Sequence, residues 1–76
     1  MRIDLHGYHI HNAWQHFNSR VTDAYFAGYK KCIVITGQGA MMREFKTWAA
    51  NHPRIRECVQ TPNNPGSFTI KLNKKG

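Results

Sequence analysis

Ile3-Asp4-Leu5-His6-Gly7 and Ile35-Thr36-Gly37-Gln38-Gly39 decide how this chain reads. Each is an apolar, strand-like run that ends in polar groups and glycine, and each is followed by a helical pattern. Arg2 to Leu5 sets Ile3 and Leu5 against Arg2, Asp4 and His6, the period of a half-buried strand. Ile3 and Leu5 are expected to face the core. Asp4 and His6 share the other face, roughly 6.6 Å apart along the strand, so their side chains can approach one another. Lys31 to Thr36 is a short, continuous, β-branched run, as expected of a buried parallel strand. If the two strands lie parallel in one sheet, their carboxyl ends open on the same edge. That is where open α/β sheets usually build their sites.

The intervening residues support this arrangement. Ile10, Ala13, Trp14, Phe17, Val21, Ala24 and Gly28 recur at spacings of three and four. The spacing predicts an amphipathic helix over 10–27, stopped by Gly28. His9 is a poor N-cap compared with Ser, Thr or Asp. Met41, Met42, Phe45, Trp48 and Ala49 predict a second helix over about 40–51, ended by Pro53. The Trp14/Phe17 and Phe45/Trp48 stripes are expected to be core. Residues 54–60 read as a weaker strand. Thr61 to Gly66 is dense in turn formers, and Ser67 to Leu72 alternates as a last strand. The order is β-α-β-α-β-β. The economical packing is an α/β two-layer sandwich, a four-stranded mixed sheet with two helices on one face. One domain over 1–76 is expected, with its core at about 3–72 and a basic tail at 73–76.

Composition narrows the partners. Eleven Lys plus Arg oppose four Asp plus Glu, a net charge of +7. In so small a domain this points to a polyanion, most simply nucleic acid, RNA or DNA. The basic residues are grouped as Lys30-Lys31, Arg54 with Arg56, and Lys71, Lys74 and Lys75. Neither helix is notably basic, so a membrane surface is not indicated. No stretch approaches a membrane span. The N-terminus runs directly into a strand, which does not read as a signal peptide. Cys32 and Cys58 sit in apolar runs and are expected to be reduced thiols of a cytoplasmic protein. They lack metal-ligand spacing, so no metal site is expected from them. His9, His11 and His16 read as polar surface.

The chemistry available at the expected edge is limited and specific. A carboxylate such as Asp4 can hold an imidazole such as His6 in one tautomer. An imidazole can then move a proton in phosphodiester cleavage. RNA carries its own nucleophile in the 2′-hydroxyl, whereas DNA hydrolysis needs an activated water, usually with metal help. Of the four carboxylates, Asp4 alone is placed at the edge by pattern. That disfavours a multi-carboxylate two-metal site and slightly favours RNA. Mg²⁺ held by Asp4 and substrate phosphates is compatible with this pattern. Thr36-Gly37-Gln38-Gly39 before a helix offers backbone N–H groups to a phosphate. It lacks the Lys-Ser/Thr ending of a nucleotide P-loop. Tyr8, just after Gly7, is a candidate for stacking on a base.

These motifs, in this order and spacing, resemble the Smr (small MutS-related) domain. The correspondence runs through Asp4-Leu5-His6-Gly7, Thr36-Gly37-Gln38-Gly39, Trp48, and Gly66-Ser67 with Ile70 and Leu72. The chain is similar to a stand-alone member. The resemblance implies a strand order of 1-2-4-3 with the last strand antiparallel. It also implies nucleic-acid binding and, in many members, DNA nicking or RNA endonuclease activity. Asp4 and His6 would then be catalytic, and Thr36, Gly37 and Gly39 would bind the backbone. The family often has Lys where Gln38 stands, and its helix-2 Arg lies one position before Arg43. The expected nucleic-acid-binding set is thus Gly7, Tyr8, Thr36, Gly37, Gln38, Gly39 and Arg43. The alternatives are a non-catalytic module for RNA, a ribosome or branched DNA, and a basic adaptor for an acidic protein.

Overall fold

A computed structural model describes residues 1–37, 39–64 and 66–74. Six elements follow in the expected order: β1 (Arg2–Asp4), α1 (Ile10–Ala27), β2 (Lys31–Ile35), α2 (Ala40–Asn51), β3 (Ile55–Gln60) and β4 (Ser67–Leu72). The sheet order is β1-β2-β4-β3. β1 pairs parallel to β2, and β4 is antiparallel to both β2 and β3. This is the mixed sheet and the strand order that the family resemblance implied.

Strand period decides which sheet face is covered. Ile3, Cys32, Val34, Phe68, Ile70 and Leu72 are buried and face the helices. α1 supplies Ala13, Phe17, Val21 and Ala24, and α2 supplies Phe45 and Ala49. The centre is aromatic. Phe45 meets Phe17 edge-on at 4.9 Å between centroids and lies against Phe68 at 4.8 Å. The opposite sheet face stays open, with Ile33 and Val59 both about half exposed. Cys32 is buried, Cys58 is half-buried, and both thiols are free. Burial is the first cause that pushes both thiols above their ordinary range.

Helix boundaries follow local chemistry. Gly28 takes the left-handed conformation that ends α1, and its N–H is donated to the last turn. His9 makes no side-chain cap. α2 stops at His52, extended ahead of Pro53 as a pre-proline residue should be. His52 is buried between the helices. Its ring pairs with the Asn18 side chain at 2.8 Å through Nε2, and its Nδ1 accepts the Arg54 N–H at 3.1 Å.

Trp14 departs from the expected core stripe. It is 43% exposed. Along α1 it sits about 100° from Ala13, on the side that carries Asn18, and faces a cleft at the end of α2 lined by Trp48, His52 and Pro53 rather than the sheet. Trp48 is half-buried and packs on the core instead. β1 also ends one residue earlier than its alternation suggests, so His6 lies on a turn rather than on the strand.

Candidate nucleic-acid interface

Parallel pairing brings the two motifs together. Asp4 is in register with Ile35, and the next N–H along the chain, that of Leu5, donates to the Ile35 carbonyl at 2.7 Å. The chain then turns: Tyr8 N–H donates back to the Leu5 carbonyl at 3.2 Å. The Asp4 carboxylate braces this turn by accepting the His6 backbone N–H at 2.9 Å. Asp4 therefore fixes the backbone that carries the imidazole. Expected side-chain pairing between Asp4 and His6 gives way to this bond, because the early end of β1 turns His6 off the strand face.

His6 is exposed and lies over the second motif. A Cβ placed on Gly37 would be 3.5 Å from His6 Cδ2. Gly7 is exposed beside it. Tyr8 is 44% exposed and stacks on His16, centroids 5.0 Å apart and planes 12° from parallel. One ring face of Tyr8 is thus occupied by His16.

The glycine loop is built differently from expectation. The Thr36 and Gly37 N–H groups were expected to be available to a phosphate. Both donate to the Gly66 carbonyl, at 2.7 and 3.2 Å. The Thr36 side chain is buried, and its hydroxyl lies 2.8 Å from the Gly37 carbonyl and 3.2 Å from that of Gly66. The cause is β4, which lies beside β2 and brings Gly66 against the loop. Gly66 fits there because it lacks a side chain. An added Cβ would lie 3.0 Å from the Gly37 Cα and carbonyl carbon. Sequence reasoning placed Gly66 in a turn and missed this brace; its signal was the Gly66-Ser67 motif that opens the last strand.

Among the described residues, the donors left for a ligand belong to α2. A helix leaves its first N–H groups without intrahelical partners, here those of Ala40 to Met42. Gly39 is the N-cap, with φ 107° and ψ −146°, and supplies no side-chain bond. That backbone region is essentially reserved for glycine. The first turn of α2 carries no acidic residue. Arg43 is exposed, and its N–H donates to the Gly39 carbonyl at 3.4 Å. Gln38 lies outside the described residues, as do Lys75 and Gly76 of the expected basic tail.

As a cation site the edge offers one carboxylate. No group of three or more His, Cys, Asp or Glu is gathered for a metal among the described residues. A Mg²⁺ ion there would need water and substrate phosphates for most of its octahedral shell.

Residues 3–71 match the Smr domain family. The chain belongs to it. The Smr domain of Thermus thermophilus MutS2 superposes with a TM-score of 0.89 at 16% identity, covering 95% of this chain and 96% of that one. YdaL, a stand-alone small MutS-related protein from Escherichia coli, gives 0.81 at 15% identity, covering 96% of this chain and 64% of that one. At these identities the structures speak to the fold. In sequence, the chain is 32% identical over 68 residues to Endonuclease MutS2 of Shouchella clausii, covering 87% of this chain and 9% of that protein. Endonuclease MutS2 of Helicobacter pylori is 26% identical over 76 residues, 97% of this chain and 10% of that protein. The Smr chain described here thus spans about a tenth of the length of these relatives.

Proposed function

We propose that this Smr domain binds nucleic acid at the edge formed by residues 4–8 and 36–43 and cleaves its backbone endonucleolytically, with RNA favoured over DNA. The observation that carries the reading is the placement of the His6 imidazole over Gly37, two residues before Gly39, the α2 N-cap that supplies no side-chain bond. A phosphate seated on the α2 N–H groups would lie within reach of an exposed imidazole. The names of the MutS2 relatives support the same class of activity.

In RNA the neighbouring 2′-hydroxyl attacks phosphorus. His6 accepts the hydroxyl proton, the bond to the 5′-oxygen breaks, and that oxygen takes a proton from water. A 2′,3′-cyclic phosphate and a 5′-hydroxyl result. The α2 N–H groups and Arg43 offset the charge that builds on the phosphoryl oxygens. Asp4 keeps His6 in position through the turn. Tyr8 offers a stacking surface to a flanking base.

A non-catalytic module for RNA, a ribosome or branched DNA is the second reading. One observation favours it: Asp4 is engaged with backbone and not with the imidazole. The deciding experiment is incubation with labelled single-stranded, duplex and branched RNA and DNA, with Mg²⁺ and with EDTA. Cleavage that disappears in His6→Ala while binding persists supports the nuclease. Binding without cleavage of any of these substrates supports the module. A Mg²⁺ requirement would assign Asp4 a metal-holding role as well.

A further inference from the structure

The basic residues converge away from the Asp4/His6 edge. Lys31 opens β2, whereas Thr36 to Gly39 follow its end, so the two lie at opposite ends of the sheet. Because β4 lies between β2 and β3, it draws three separate basic groups to the first of these ends. Lys31 is in register with Lys71. The Leu72 N–H donates to the Lys30 carbonyl at 2.9 Å, and the Asn73 N–H donates to the Arg54 carbonyl, also at 2.9 Å. A bulge in β3 between Ile55 and Glu57 puts Arg56 out of register, the kind of irregularity that re-aims a side chain.

Together these residues line a groove of about 500 Å³. Lys30, Lys31, Arg56, Lys71 and Lys74 supply its charge, and Tyr25 and Tyr29 supply its rings. Five of the chain's eleven Lys and Arg are therefore here. Glu57, the one acid in the flanking strand segments, is paired with Lys71 at 3.3 Å. Tyr29 is 50% exposed and directly follows the rigid end of α1. The neighbouring Tyr25 carries the Arg54 guanidinium over its ring, 5.2 Å from the ring centre.

We propose that this groove is a second nucleic-acid contact, specific for a single-stranded segment, with a base stacked on Tyr29 and the flanking phosphates on Lys30, Lys31, Arg56 and Lys74. Charge selects a polyanion, and the rings select one whose bases are free to leave a stack. Single-strand binders combine these two elements, a cationic groove and aromatic platforms. A duplex keeps its bases within the stack and offers none to Tyr29, whereas a single strand can turn one out. The two ends of β2 are roughly 17 Å apart at 3.3 Å per residue. A stacked strand rising about 3.4 Å per nucleotide needs roughly five nucleotides to reach from one contact to the other. The groove's occupation is independent of whether the Asp4/His6 edge cleaves.

The test is fluorescence anisotropy of the whole chain with labelled oligo(U), oligo(dT) and a hairpin duplex, across a salt series. The proteins are wild type, the triple variant Lys30→Ala/Lys31→Ala/Lys74→Ala, Tyr29→Ala, Tyr29→Phe and His6→Ala. These side chains are exposed, and a thermal melt by circular dichroism verifies that each variant is folded. The triple variant should bind single strands at least about tenfold more weakly. Its slope of log K against log salt should shrink by about two, at about 0.7 per phosphate released. Tyr29→Ala should lose roughly 5- to 100-fold on single strands and little on the duplex, and Tyr29→Phe should restore the affinity. On oligo(dT), which has no 2′-hydroxyl to attack, His6→Ala should lose much less affinity than the triple variant does. Unchanged single-strand affinity in the triple variant and in Tyr29→Ala would overturn the proposal. So would equal losses on single strand and duplex in Tyr29→Ala, or binding lost in His6→Ala and retained in the groove variants.

Discussion

The Asp4 carboxylate accepts the backbone N–H of His6 at 2.9 Å, so the acid of the motif shapes the turn that presents the base. Charge and hydrogen-bond acceptance at Asp4 are then separable by substitution. Asp4→Asn keeps an acceptor oxygen and should fold and melt almost as wild type does. Asp4→Ala loses the acceptor and should cost about 0.5–1.5 kcal/mol, toward the lower end because the site is exposed. If the charge itself orients or activates groups at the site, both variants lose cleavage. If Asp4 acts only through the turn, Asp4→Asn cuts at near the wild-type rate. Melting temperatures and single-turnover rates for the two proteins decide between these roles.

His6→Ala removes the proposed proton acceptor without touching the core, since Leu5 and Ile3 carry the buried contacts. Cleavage should fall by about 10²- to 10⁴-fold, with affinity for an uncleavable 2′-deoxy analogue nearly unchanged. A folded His6→Ala protein that cuts at the wild-type rate would remove His6 from the chemistry.

Gly66→Ala should be costly for a residue so small. Its Cβ would press on Gly37 backbone at 3.0 Å, and backbone has less room to yield than a side-chain tip. A loss of about 1–3 kcal/mol is expected, together with weaker binding at the glycine loop. Urea unfolding gives the first quantity and oligonucleotide titration the second. A wild-type melting temperature in Gly66→Ala would show that the close approach relaxes freely.

Gly39→Ala meets open space, with nothing within 4 Å of the added carbon. It still should destabilise by about 1–3 kcal/mol, because φ 107° is unfavourable for any residue with a Cβ. Stability and binding should therefore fall together in this variant. A Gly39→Ala protein as stable as wild type would mean that the loop has shifted to another conformation, which its affinity would then report.

His52 gives the fold a pH dependence of known sign. The Arg54 N–H donates to Nδ1, so the ring is neutral with its proton on Nε2, where it donates to Asn18. Burial first, and then the Arg54 charge, hold its pKa below the ordinary 6.5. The unfolded chain consequently binds a proton more readily than the folded one. The stability His52 contributes is complete above about pH 6.5 and is lost as pH falls through the lower folded-state value. Melting wild type and His52→Gln between pH 7.5 and 5 should show a steeper decline in wild type. Parallel curves would refute this assignment.

Much of the architecture is written in periodicity. Ile3 and Leu5, the α1 stripe from Ala13 to Ala24, and Phe68, Ile70 and Leu72 all announce their buried faces by spacing alone. The site motifs are equally legible, since Asp4, His6 and the Thr36–Gly39 loop are local in sequence. What spacing does not encode is contact across the sheet. The Gly66 carbonyl that takes up the Thr36 and Gly37 N–H groups is thirty residues away. The meeting of Lys30-Lys31, Arg56 and Lys71 depends on β4 entering between β2 and β3. Trp14 fails for a related reason: helical spacing marks an apolar side of α1, but how α2 lies against α1 determines how much of that side is covered.

The central position of β4 has a consequence for the newly made chain. Every group of the Asp4/His6 edge is synthesised before β4, yet the loop at Thr36 waits for the Gly66 carbonyl to hold it. Until Ser67 to Leu72 emerge, β2 and β3 each present an unpaired border, the kind that recruits foreign strands. A message truncated before Ser67 would yield a peptide bearing both signature motifs but no assembled site. Its two sticky borders would mark it for aggregation or for proteolysis.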